Sequence, residues 1–451
     1  MIYYSHNFVK EGNYMEYIEV SKASRLQGSV WIQGSKNSSL ALMAAACLLN
    51  GTVILENIPD ISDVHTFLNI LRDLGAKAGF VDNNRIIITP EGISSSFIDP
   101  LHTQKVRPAY YFIGSLLAKH KTVTLGYPGG DRIGQRPIDQ HVKGLKLMGA
   151  QFEFFDDFYT VTADRLKGCE IYFDVITGGA TLNIMMAAVT AKGTTTLYNA
   201  ARDPEVVDTA IFLNKMGARI HGAGTNTIRI DGVESLSGGS HAAIPDRLIA
   251  GTYLMATGIT SGCITVENVI PEHILPLIYK LKEAGIDFNI NENSITATSD
   301  GHINPIKIVA EKFPMFETDF QQPASVLLLK AKGPSMITDK IYPQRSNHCD
   351  QLKKFGASIK WNNGTAFING GAQLKGAHVH ASDIRAGACL VLAGLLAEGK
   401  TYITGVEHLE RGFTNIINDF SLLGADIMLV GRTTEMERTD ESCLLKSAAM
   451  E

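Results

Sequence analysis

The segment LRDLGAKAGF, residues 71–80, joins the end of an amphipathic pattern to a glycine and then to alternating apolar residues. Five later segments repeat it: LKLMGAQFEF, LNKMGARIHG, LKEAGIDFNI, LKKFGASIKW and FSLLGADIML. Each copy predicts a helix that ends at a glycine C-cap and a strand that follows. The glycines, spaced 68 to 74 residues apart, are Gly75, Gly149, Gly217, Gly285, Gly356 and Gly424. The chain is therefore predicted to consist of six units of about 70 residues.

Each unit also contains a second helical segment that is apolar nearly all round and mostly rich in alanine, which is typical of a helix buried on every side. These segments begin at Asn37, Arg107, Ala180, Arg247, Gln322 and Arg385. Alternating runs such as TVILENI and TVTLGYP predict strands between the helices. The sequence thus predicts an α/β protein whose six units pack as two groups of three.

Length and composition narrow the class of protein. A chain of 451 residues exceeds the size of a single hydrophobic core, so two domains are expected. The net charge of −5, without a basic run, argues against a nucleic-acid surface. The sequence has no membrane-span or signal-peptide pattern, and its six cysteines lack CxxC spacing. We expect a soluble cytoplasmic protein with reduced thiols.

Four basic residues stand at the starts of predicted buried helices: Lys36, Arg107, Arg247 and Arg385. The partial positive charge of a helix N-terminus normally disfavours cations there. One explanation is that each cation extends to water or pairs with a neighbouring acid, for which Asp246 and Asp383 are candidates. The alternative, favoured for the set, is a positive cleft that binds a small polyanion.

Several segments carry a resemblance to a known family: GSKNSSLALMAAACLLNGTVILENIPDISDV, PGGDRIGQRPIDQHVKGL, NAARDPEVVDTA, FETDFQQP, and HASDIRAGACLVLAG followed by HLERGF. In this order they resemble the UDP-N-acetylglucosamine enolpyruvyl transferases, from about Tyr17 to Val430. The related 5-enolpyruvylshikimate 3-phosphate synthases share the fold, but are expected to show an NAGTAMR-like segment where this chain has KVRPAYYFIG. The sister activity is therefore disfavoured.

The resemblance implies a two-domain inside-out α/β barrel with three repeats in each domain and the active site between them. One domain would combine residues 1–37 with 246–435. The other, residues 38–245, would be inserted and would carry a lid loop at 126–136. Residues 1–14 are expected to be an extension, or to precede the true start at Met15, and residues 436–451 a frayed tail.

The reaction implied by the resemblance transfers the enolpyruvyl group of phosphoenolpyruvate to the 3-hydroxyl of UDP-N-acetylglucosamine and releases phosphate. It would be the first committed step of peptidoglycan precursor synthesis, and hence serve the cell wall, cell shape and cell division. No metal or organic cofactor is implied. Guanidinium groups suit a substrate with both phosphate and carboxylate, because their planar fork binds either anion bidentately.

The family's functional residues carry over by position. Lys36, Arg136 and Arg411 would surround the phosphate with Arg107 nearby, and Arg345 and Arg385 would hold the carboxylate. Asp319 would act as base or proton relay at the 3-hydroxyl, with a helix N-cap as its alternative role. His408 and Glu410 flank Arg411 and would position it or be structural. The remaining residues implied for the nucleotide sugar are Asn37, Pro137, Ile138, Asp139, Gln140, Thr177, Gly178, Gly179 and Ile341.

The lid loop departs from the family at its centre. Gly129, Gly130 and Gly134 allow it unusual backbone conformations. The family commonly has a cysteine as general acid and fosfomycin target where this chain has Asp131. A carboxyl could donate the proton if its pKa, ordinarily about 3.9, were raised by nearby substrate anions, an effect that Arg132 would oppose. We therefore expect resistance to fosfomycin.

Other departures leave the acceptor open. Thr177-Gly-Gly179 replaces the usual Ser-Val-Gly, Ile249 a glutamate and Ala41 a proline. One alternative is enolpyruvyl transfer to another uridine nucleotide in secondary metabolism. Another is a catalytically inactive paralogue that binds a UDP-sugar and regulates the pathway.

Overall fold

The computed structural model describes residues 9–10, 13–14, 16–131, 133–134 and 136–431. Apart from two short strands near the N-terminus, the predictions about the start of the chain lie outside the described residues. Those about Arg132 and the tail from residue 436 also lie outside them. Within the described part of the chain, no helix has the length and apolar character needed to span a membrane.

The helices fall into two alternating kinds, one buried and one amphipathic. In chain order they are α1 (Lys36–Ala45), α2 (Ser62–Asp73), α3 (Pro100–Lys105), α4 (Tyr111–Leu117), α5 (Asp139–Leu147), α6 (Gly178–Ala188), α7 (Pro204–Lys215), α8 (Arg247–Thr260), α9 (Leu275–Glu283), α10 (Gln321–Leu329), α11 (Asn347–Lys354), α12 (Ile384–Leu396), α13 (Val406–Leu409) and α14 (Ile416–Leu422). Short 3₁₀ turns cover Ala46–Leu48, Pro90–Gly92, Arg107–Tyr110, Pro271–His273 and Thr318–Phe320.

The strands are short, as expected for connections between repeated helices. They are β1 (Val9–Lys10), β2 (Asn13–Tyr14), β3 (Tyr17–Ser21), β4 (Gln27–Trp31), β5 (Asn50–Glu56), β6 (Lys77–Asp82), β7 (Arg85–Thr89), β8 (Phe97–Ile98), β9 (Thr122–Gly126), β10 (Gln151–Phe154), β11 (Phe158–Thr162), β12 (Glu170–Tyr172), β13 (Thr194–Tyr198), β14 (Arg219–His221), β15 (Thr227–Asp231), β16 (Ser237–Ala242), β17 (Cys263–Glu267), β18 (Asp287–Ile290), β19 (Ser294–Thr298), β20 (Lys307–Ala310), β21 (Pro334–Asp339), β22 (Ser358–Asn362), β23 (Thr365–Asn369), β24 (His378–His380), β25 (Lys400–Thr404) and β26 (Ile427–Val430).

The sixfold repeat is confirmed element by element. Each of α2, α5, α7, α9, α11 and α14 ends just before a repeat glycine, and a strand begins two or three residues after that glycine. All six glycines have positive φ, between 86° and 107°, a conformation that side chains disfavour. The glycine therefore ends the helix and redirects the chain into the strand.

Six four-stranded sheets follow the same plan. In one of these sheets, β5 pairs in parallel with β16 and antiparallel with β7, and β6 pairs with β7 at the other edge. Strand β4 joins β17, and β3 joins β25 and β26, so the N-terminal strands complete sheets of the C-terminal repeats. The fold is the expected inside-out α/β barrel of six repeats.

Two hydrophobic cores lie inside these sheets. One contains residues between 40 and 243, and the other combines residues 18–32 with residues between 248 and 427. The buried helices α1, α4 and α6 contribute to the first core, and α8, α10 and α12 contribute to the second. The predicted domain boundaries remain a proposal, which these two separate cores support.

Cations lie near both ends of the buried helices, but their partners differ between the two ends. Near their C-terminal ends, Lys119 donates to the carbonyl of Leu49 at 2.7 Å, and Lys330 donates to those of Gly258 and Ile259 at 2.9 Å. A cation is favourable there because it meets free carbonyl groups. Cations also lie at the N-terminal ends, where they need other partners, and those partners form the candidate site.

Candidate active site

The first cluster of charges, called the Asp131 cluster, consists of Lys36, Asp63, Asp131, His408 and Arg411. Lys36 Nζ lies 3.0 Å from Asp63 Oδ2, and Arg411 Nε lies 2.9 Å from Asp63 Oδ1. Arg411 also donates to Asp131 in the lid loop. Because Asp63 lies between two cations, it fixes both without neutralising them.

Asp131 has a second basic neighbour in the short helix α13. His408 Nδ1 lies 3.7 Å from Asp131 Oδ1, which is an ion-pair distance but longer than a hydrogen bond. No hydrogen-bond acceptor for this buried nitrogen lies within reach among the described residues. The pKa of His408 is raised, first by its interaction with Asp131 and against the effect of burial.

The neighbours of Asp131 decide its protonation. Burial alone would raise the pKa of this carboxyl, but His408, Arg411 and Lys36 together outweigh burial and lower the pKa to about 2. In this arrangement Asp131 is ionised at neutral pH. The raised pKa that general-acid chemistry requires is therefore not a property of the loop by itself.

A second cluster, the Arg345 cluster, consists of Asp319, Arg345, Asp383 and Arg385. Arg345 Nη1 donates to Asp319 Oδ1 at 2.7 Å, and Arg385 Nε lies 3.8 Å from Asp319 Oδ2. Burial would raise the pKa of Asp319, but Arg345 and Arg385 lower it instead. Arg345 Nε and Arg385 Nη1 are buried and lack an acceptor in the part of the chain that the structure describes. These unused donors are the ones a carboxylate would accept from.

The alternative role of Asp319 as a helix N-cap is not observed. Asp319 lies in the 3₁₀ turn before α10, whose first residue follows Phe320, and that helix has no side-chain cap. Asp246 and Asp383 do cap α8 and α12, each by accepting from two backbone N–H groups. These caps explain why both acids are present without making either the main partner of the adjacent arginine.

Arg247 does not belong to a positive cleft, contrary to the expectation from the four helix starts. Its guanidinium donates to Glu205 at 2.9 Å and to both oxygens of Glu317 at 2.6 and 2.7 Å. With Asp203 these residues form the Arg247 cluster, whose net charge is negative. Burial raises the pKa of Glu317 to about 7 and that of Asp203 to about 6.

The residues predicted for the phosphate and sugar lie around these clusters. Asn37 Nδ2 is 3.4 Å from Glu205 Oε1, so Asn37 links α1 to the Arg247 cluster. Arg107 Nη1 contacts the carbonyl oxygen of Pro128 in the lid loop at 3.4 Å. The guanidinium of Arg136 lies 5.9 Å from the ring centre of Tyr342. Burial lowers the pKa of Arg107, and the nearby charge of Arg136 lowers it further.

The segment after Arg136 leads into α5. Pro137 and Asp139 are exposed, Ile138 is half-buried, and Gln140 is buried. The Gln140 amide donates to Asp139 at 2.7 Å and to Asp174 at 3.2 Å, so its donors are already used. A direct role of the Gln140 side chain in base recognition would require these bonds to break.

The remaining predicted residues lie at turns. Thr177 caps α6, its hydroxyl accepting from Ala180 N at 3.5 Å. Gly178 faces Asp203, and Gly179 lies against the Tyr110 hydroxyl so closely that a Cβ would be 2.6 Å from it. Ile341 N donates to Asp339 at 2.8 Å. Gly179 thus allows an approach to Tyr110 that a side chain would hinder, whereas a Cβ at Gly178 would make only ordinary contact with Asp203, at 3.8 Å.

The sequence prediction missed four acids of these clusters: Asp63, Asp203, Glu205 and Glu317. Asp63 is separated from Arg411 by 348 residues, and Arg247 from Glu205 and Glu317 by 42 and 70. All four lie inside segments that carry the family resemblance. An acid at the cap or in the first turn of a helix has an ordinary explanation in the helix dipole, so the pattern alone gave no functional signal.

Comparison with known proteins agrees with this fold. The model of the family EPSP synthase (3-phosphoshikimate 1-carboxyvinyltransferase) matches residues 20–420, so the chain belongs to this family. Within it, the chain is 46% identical to UDP-N-acetylglucosamine 1-carboxyvinyltransferase 2 of Listeria monocytogenes, over 90% of this chain and 96% of that one. It is 43% identical to the protein of the same name from Geobacillus kaustophilus, over 93% and 98% of the two chains.

Solved structures share the fold at lower identity. The enolpyruvyl transferase NikO from Streptomyces tendae has a TM-score of 0.84 at 23% identity, covering 93% of this chain and 100% of that one. EPSP synthase from Acinetobacter baumannii has a TM-score of 0.70 at 18% identity, covering 92% and 99%. At these identities the likeness concerns the fold and does not choose among acceptors.

Proposed function

We propose that the protein transfers the enolpyruvyl group of phosphoenolpyruvate to the 3-hydroxyl of UDP-N-acetylglucosamine, with Asp131 as the acid that protonates the enol carbon. The observation that carries the proposal is the pairing of two carboxylates, Asp131 and Asp319, with separate sets of cations. The names of the relatives at 43% and 46% identity support UDP-N-acetylglucosamine as the acceptor in peptidoglycan synthesis.

The phosphate of phosphoenolpyruvate would bind at the Asp131 cluster. Lys36 and Arg411 are held at Asp63, and both side chains are largely buried, at 14% and 18% exposure. A phosphate dianion would compete with Asp131 for Arg411, because charge-assisted bonds to phosphate are strong and bidentate. Loss of the guanidinium and the nearby negative charge would both raise the pKa of Asp131.

The carboxylate of the same substrate would bind at the Arg345 cluster. The free donors on Arg345 and Arg385 supply two hydrogen bonds without breaking existing ones. A second anion beside these arginines would offset part of their positive charge. The pKa of Asp319 would then rise, and its carboxylate would become a stronger base. Asp319 would then accept the proton of the sugar 3-hydroxyl.

Closure of the lid loop over the substrate would complete the site. Gly130 and Gly134 have φ of +85° and +138°. Glycine adopts these backbone angles readily, whereas residues with a side chain disfavour them. Gly129 lies so close to Gln104 that a Cβ would be 2.1 Å from its carbonyl oxygen. The loop is thus attached at its first glycines, and its centre would be free to bring Asp131 to the enol carbon and exclude water.

One series of measurements tests both the acceptor and the acid. Phosphate release from phosphoenolpyruvate should require UDP-N-acetylglucosamine, with none for shikimate 3-phosphate or UMP. Asp131→Cys should retain turnover, gain time-dependent inactivation by fosfomycin and move the pH optimum upward, since the thiol's ordinary pKa is about 8.5. Asp131→Asn, which cannot donate a proton usefully, should abolish turnover.

Contrary results separate the alternatives. Turnover with UMP and not with the sugar nucleotide would favour the secondary-metabolism acceptor. Binding of the nucleotide sugar without turnover under any condition would favour the regulatory paralogue. Inactivation of the wild type by fosfomycin, or full activity of the Asn variant, would remove Asp131 from the role of acid.

A further inference from the structure

We propose that His408 stores the proton that Asp131 delivers, so that the acid of the reaction is the His408–Asp131 pair and not the aspartate alone. This inference rests on the proposed function, since it concerns the same proton transfer. The nearest atoms are His408 Nδ1 and Asp131 Oδ1, 3.7 Å apart. His408 would not contact the substrate, and it would act through Asp131 as a positioning and relay residue.

The first argument is that Asp131 cannot store the proton by itself. Arg411 donates directly to its carboxylate, and the effects of His408, Arg411 and Lys36 hold its pKa at about 2. A group with that pKa is protonated only in about one molecule in 10⁵ at pH 7, because each pH unit is a factor of ten. The proton must come from a neighbour that is charged near neutral pH.

The second argument is that His408 is the neighbour with a transferable proton. The guanidinium of Arg411 keeps its proton, whereas a histidine changes charge near neutral pH. His408 Nδ1 has no hydrogen-bond acceptor among the described residues, so its proton is not committed elsewhere. The side chain is 27% exposed, which gives the ring access to solvent for reprotonation.

The electrostatic surroundings of His408 favour its charged form. The charged groups that act on it are Asp131 in the lid loop and Glu407 and Arg411 near it in the chain. Asp131 and Glu407 raise its pKa, and Arg411 opposes them. In turn, Lys36 acts on Asp131, and Asp63 acts on Arg411. His408 is therefore protonated at a higher pH than a free histidine.

The proton steps balance without any further reactant. His408 passes its N–H proton to the ionised carboxylate of Asp131. As the enol π electrons form the new C–H bond, that Asp131 O–H bond breaks, which leaves His408 neutral and Asp131 ionised. The 3-hydroxyl gives its proton to Asp319 and bonds to the adjacent carbon. When the C–O bond to phosphate breaks, the methyl carbon returns a proton to the Asp131–His408 pair, and the hydroxyl proton leaves with phosphate.

The 3.7 Å separation requires the lid loop to move for the transfer, since proton transfer needs a hydrogen bond of about 2.6 to 3.2 Å. A movement of less than about 1 Å would suffice. Substrate phosphate would favour it by taking Arg411 from Asp131, which would leave His408 as the ion-pair partner of the carboxylate while Lys36 acts on it from farther away. Binding of phosphate would thus weaken the interaction of Asp131 with Arg411 and strengthen its interaction with His408.

The test compares His408→Gln and His408→Ala with wild type and with His380→Asn, an exposed histidine of the same region outside the three clusters. We expect His408→Gln to lower kcat on the order of 10², the lower end for proton-transfer groups, with a smaller change in KM. The wild-type rate should fall as pH rises through the His408 pKa, and the Gln variant should lack this fall. Imidazole should restore part of the activity of His408→Ala.

Deuterium exchange provides a second readout. In D₂O, solvent deuterium should enter the methylene carbon during wild-type turnover, and this entry should slow in both His408 variants. A Gln variant with wild-type rate and pH profile would overturn the inference, as would an inactive Ala variant that imidazole does not rescue. Neither result touches the proposed function, which fails instead if wild type and His380→Asn release no phosphate with UDP-N-acetylglucosamine.

Discussion

The Asp131 cluster and the Arg247 cluster both place an arginine between two carboxylates, and both link the two halves of the chain. Arg411 lies between Asp63 and Asp131, and Arg247 lies between Glu205 and Glu317. In the first cluster the aspartate pKa falls to about 2, whereas in the second the pKa of Glu317 rises to about 7.

The difference arises from the other charges nearby. Lys36 and His408 add positive charge around Asp131, so the interaction with cations exceeds the cost of burying the carboxylate. Burial raises the pKa of Glu317 first, and the negative charges of Glu205 and Asp203 add to this effect, so that together they outweigh the attraction of Arg247. The same pairing therefore yields either a cationic site that can accept an anion or an acidic cluster that retains a proton.

This contrast also predicts which parts of the substrate would lie near each cluster. We expect a substrate with phosphate and carboxylate to be attracted to the Asp131 and Arg345 clusters and repelled by the Arg247 cluster. Asn37, adjacent in the chain to Lys36, contacts Glu205 instead of a cation. The sugar, which carries no charge of its own, would suit this region better than either phosphate group.

The largest expected effect is loss of a cation from the Asp131 cluster. Arg411→Ala should reduce kcat/KM on the order of 10² or more, because losing one partner of a buried charge pair costs about 2 to 5 kcal/mol and each 1.36 kcal/mol is about tenfold. Phosphate release under kcat/KM conditions measures it. The matched control is Arg85→Ala, an exposed arginine paired with Asp82 at 2.9 Å, which should keep full activity. A loss of tenfold or less would remove Arg411 from the site.

The next effect should appear in stability and not only in activity. Arg247→Met keeps much of the side-chain volume but leaves Glu205 and Glu317 without their cation, which should cost about 3 to 5 kcal/mol of unfolding free energy at pH 8. At pH 6 the cost should shrink, because both acids with raised pKa, Glu317 and Asp203, gain protons more readily.

Urea denaturation at the two pH values measures this change. The control is Lys340→Met, which removes an exposed partner of Glu311 and should change stability by less than about 1 kcal/mol. An equal loss for Arg247→Met at both pH values would mean that the acids of the cluster do not take up protons as described.

The order of the repeats and the ends of the helices could be predicted because they depend on local sequence. Gly75 and its five counterparts each end a helix, and the sequence signal for that end spans only about four residues. The buried helices could also be predicted, since their composition is apolar on every face. These features need no knowledge of which units lie side by side.

The charge of each cluster could not be predicted in this way. Arg247 and Arg385 occupy equivalent helix starts, yet one meets two glutamates and the other retains an unpaired donor. The difference depends on contacts between units that are 42 to 70 residues apart in the chain. Likewise, Asp131 was identified as the candidate acid, but the lowering of its pKa depends on residues more than 270 positions away in Arg411 and His408.

The smallest expected effect concerns the proton held by the Arg247 cluster. It tests directly whether this cluster differs from the Asp131 cluster in protonation. Glu317 has its folded-state pKa raised from 4.5 to about 7, so the folded protein binds a proton that the unfolded chain has already released. The unfolding free energy of the wild type should therefore fall as pH rises from about 4.5 to about 7, since stability decreases wherever the folded state binds more protons.

Glu317→Gln keeps the size of the side chain and can still accept from Arg247, but it does not titrate. Between pH 5 and pH 8 it should lose about 1 to 2 kcal/mol less unfolding free energy than the wild type, less than the full shift implies because Asp203 competes for the same proton. Glu311→Gln, at the exposed pair with Lys340, should follow the wild type. If Glu317→Gln also followed it, the cluster would hold no proton in this range, and its difference from the Asp131 cluster would lie in geometry instead of charge.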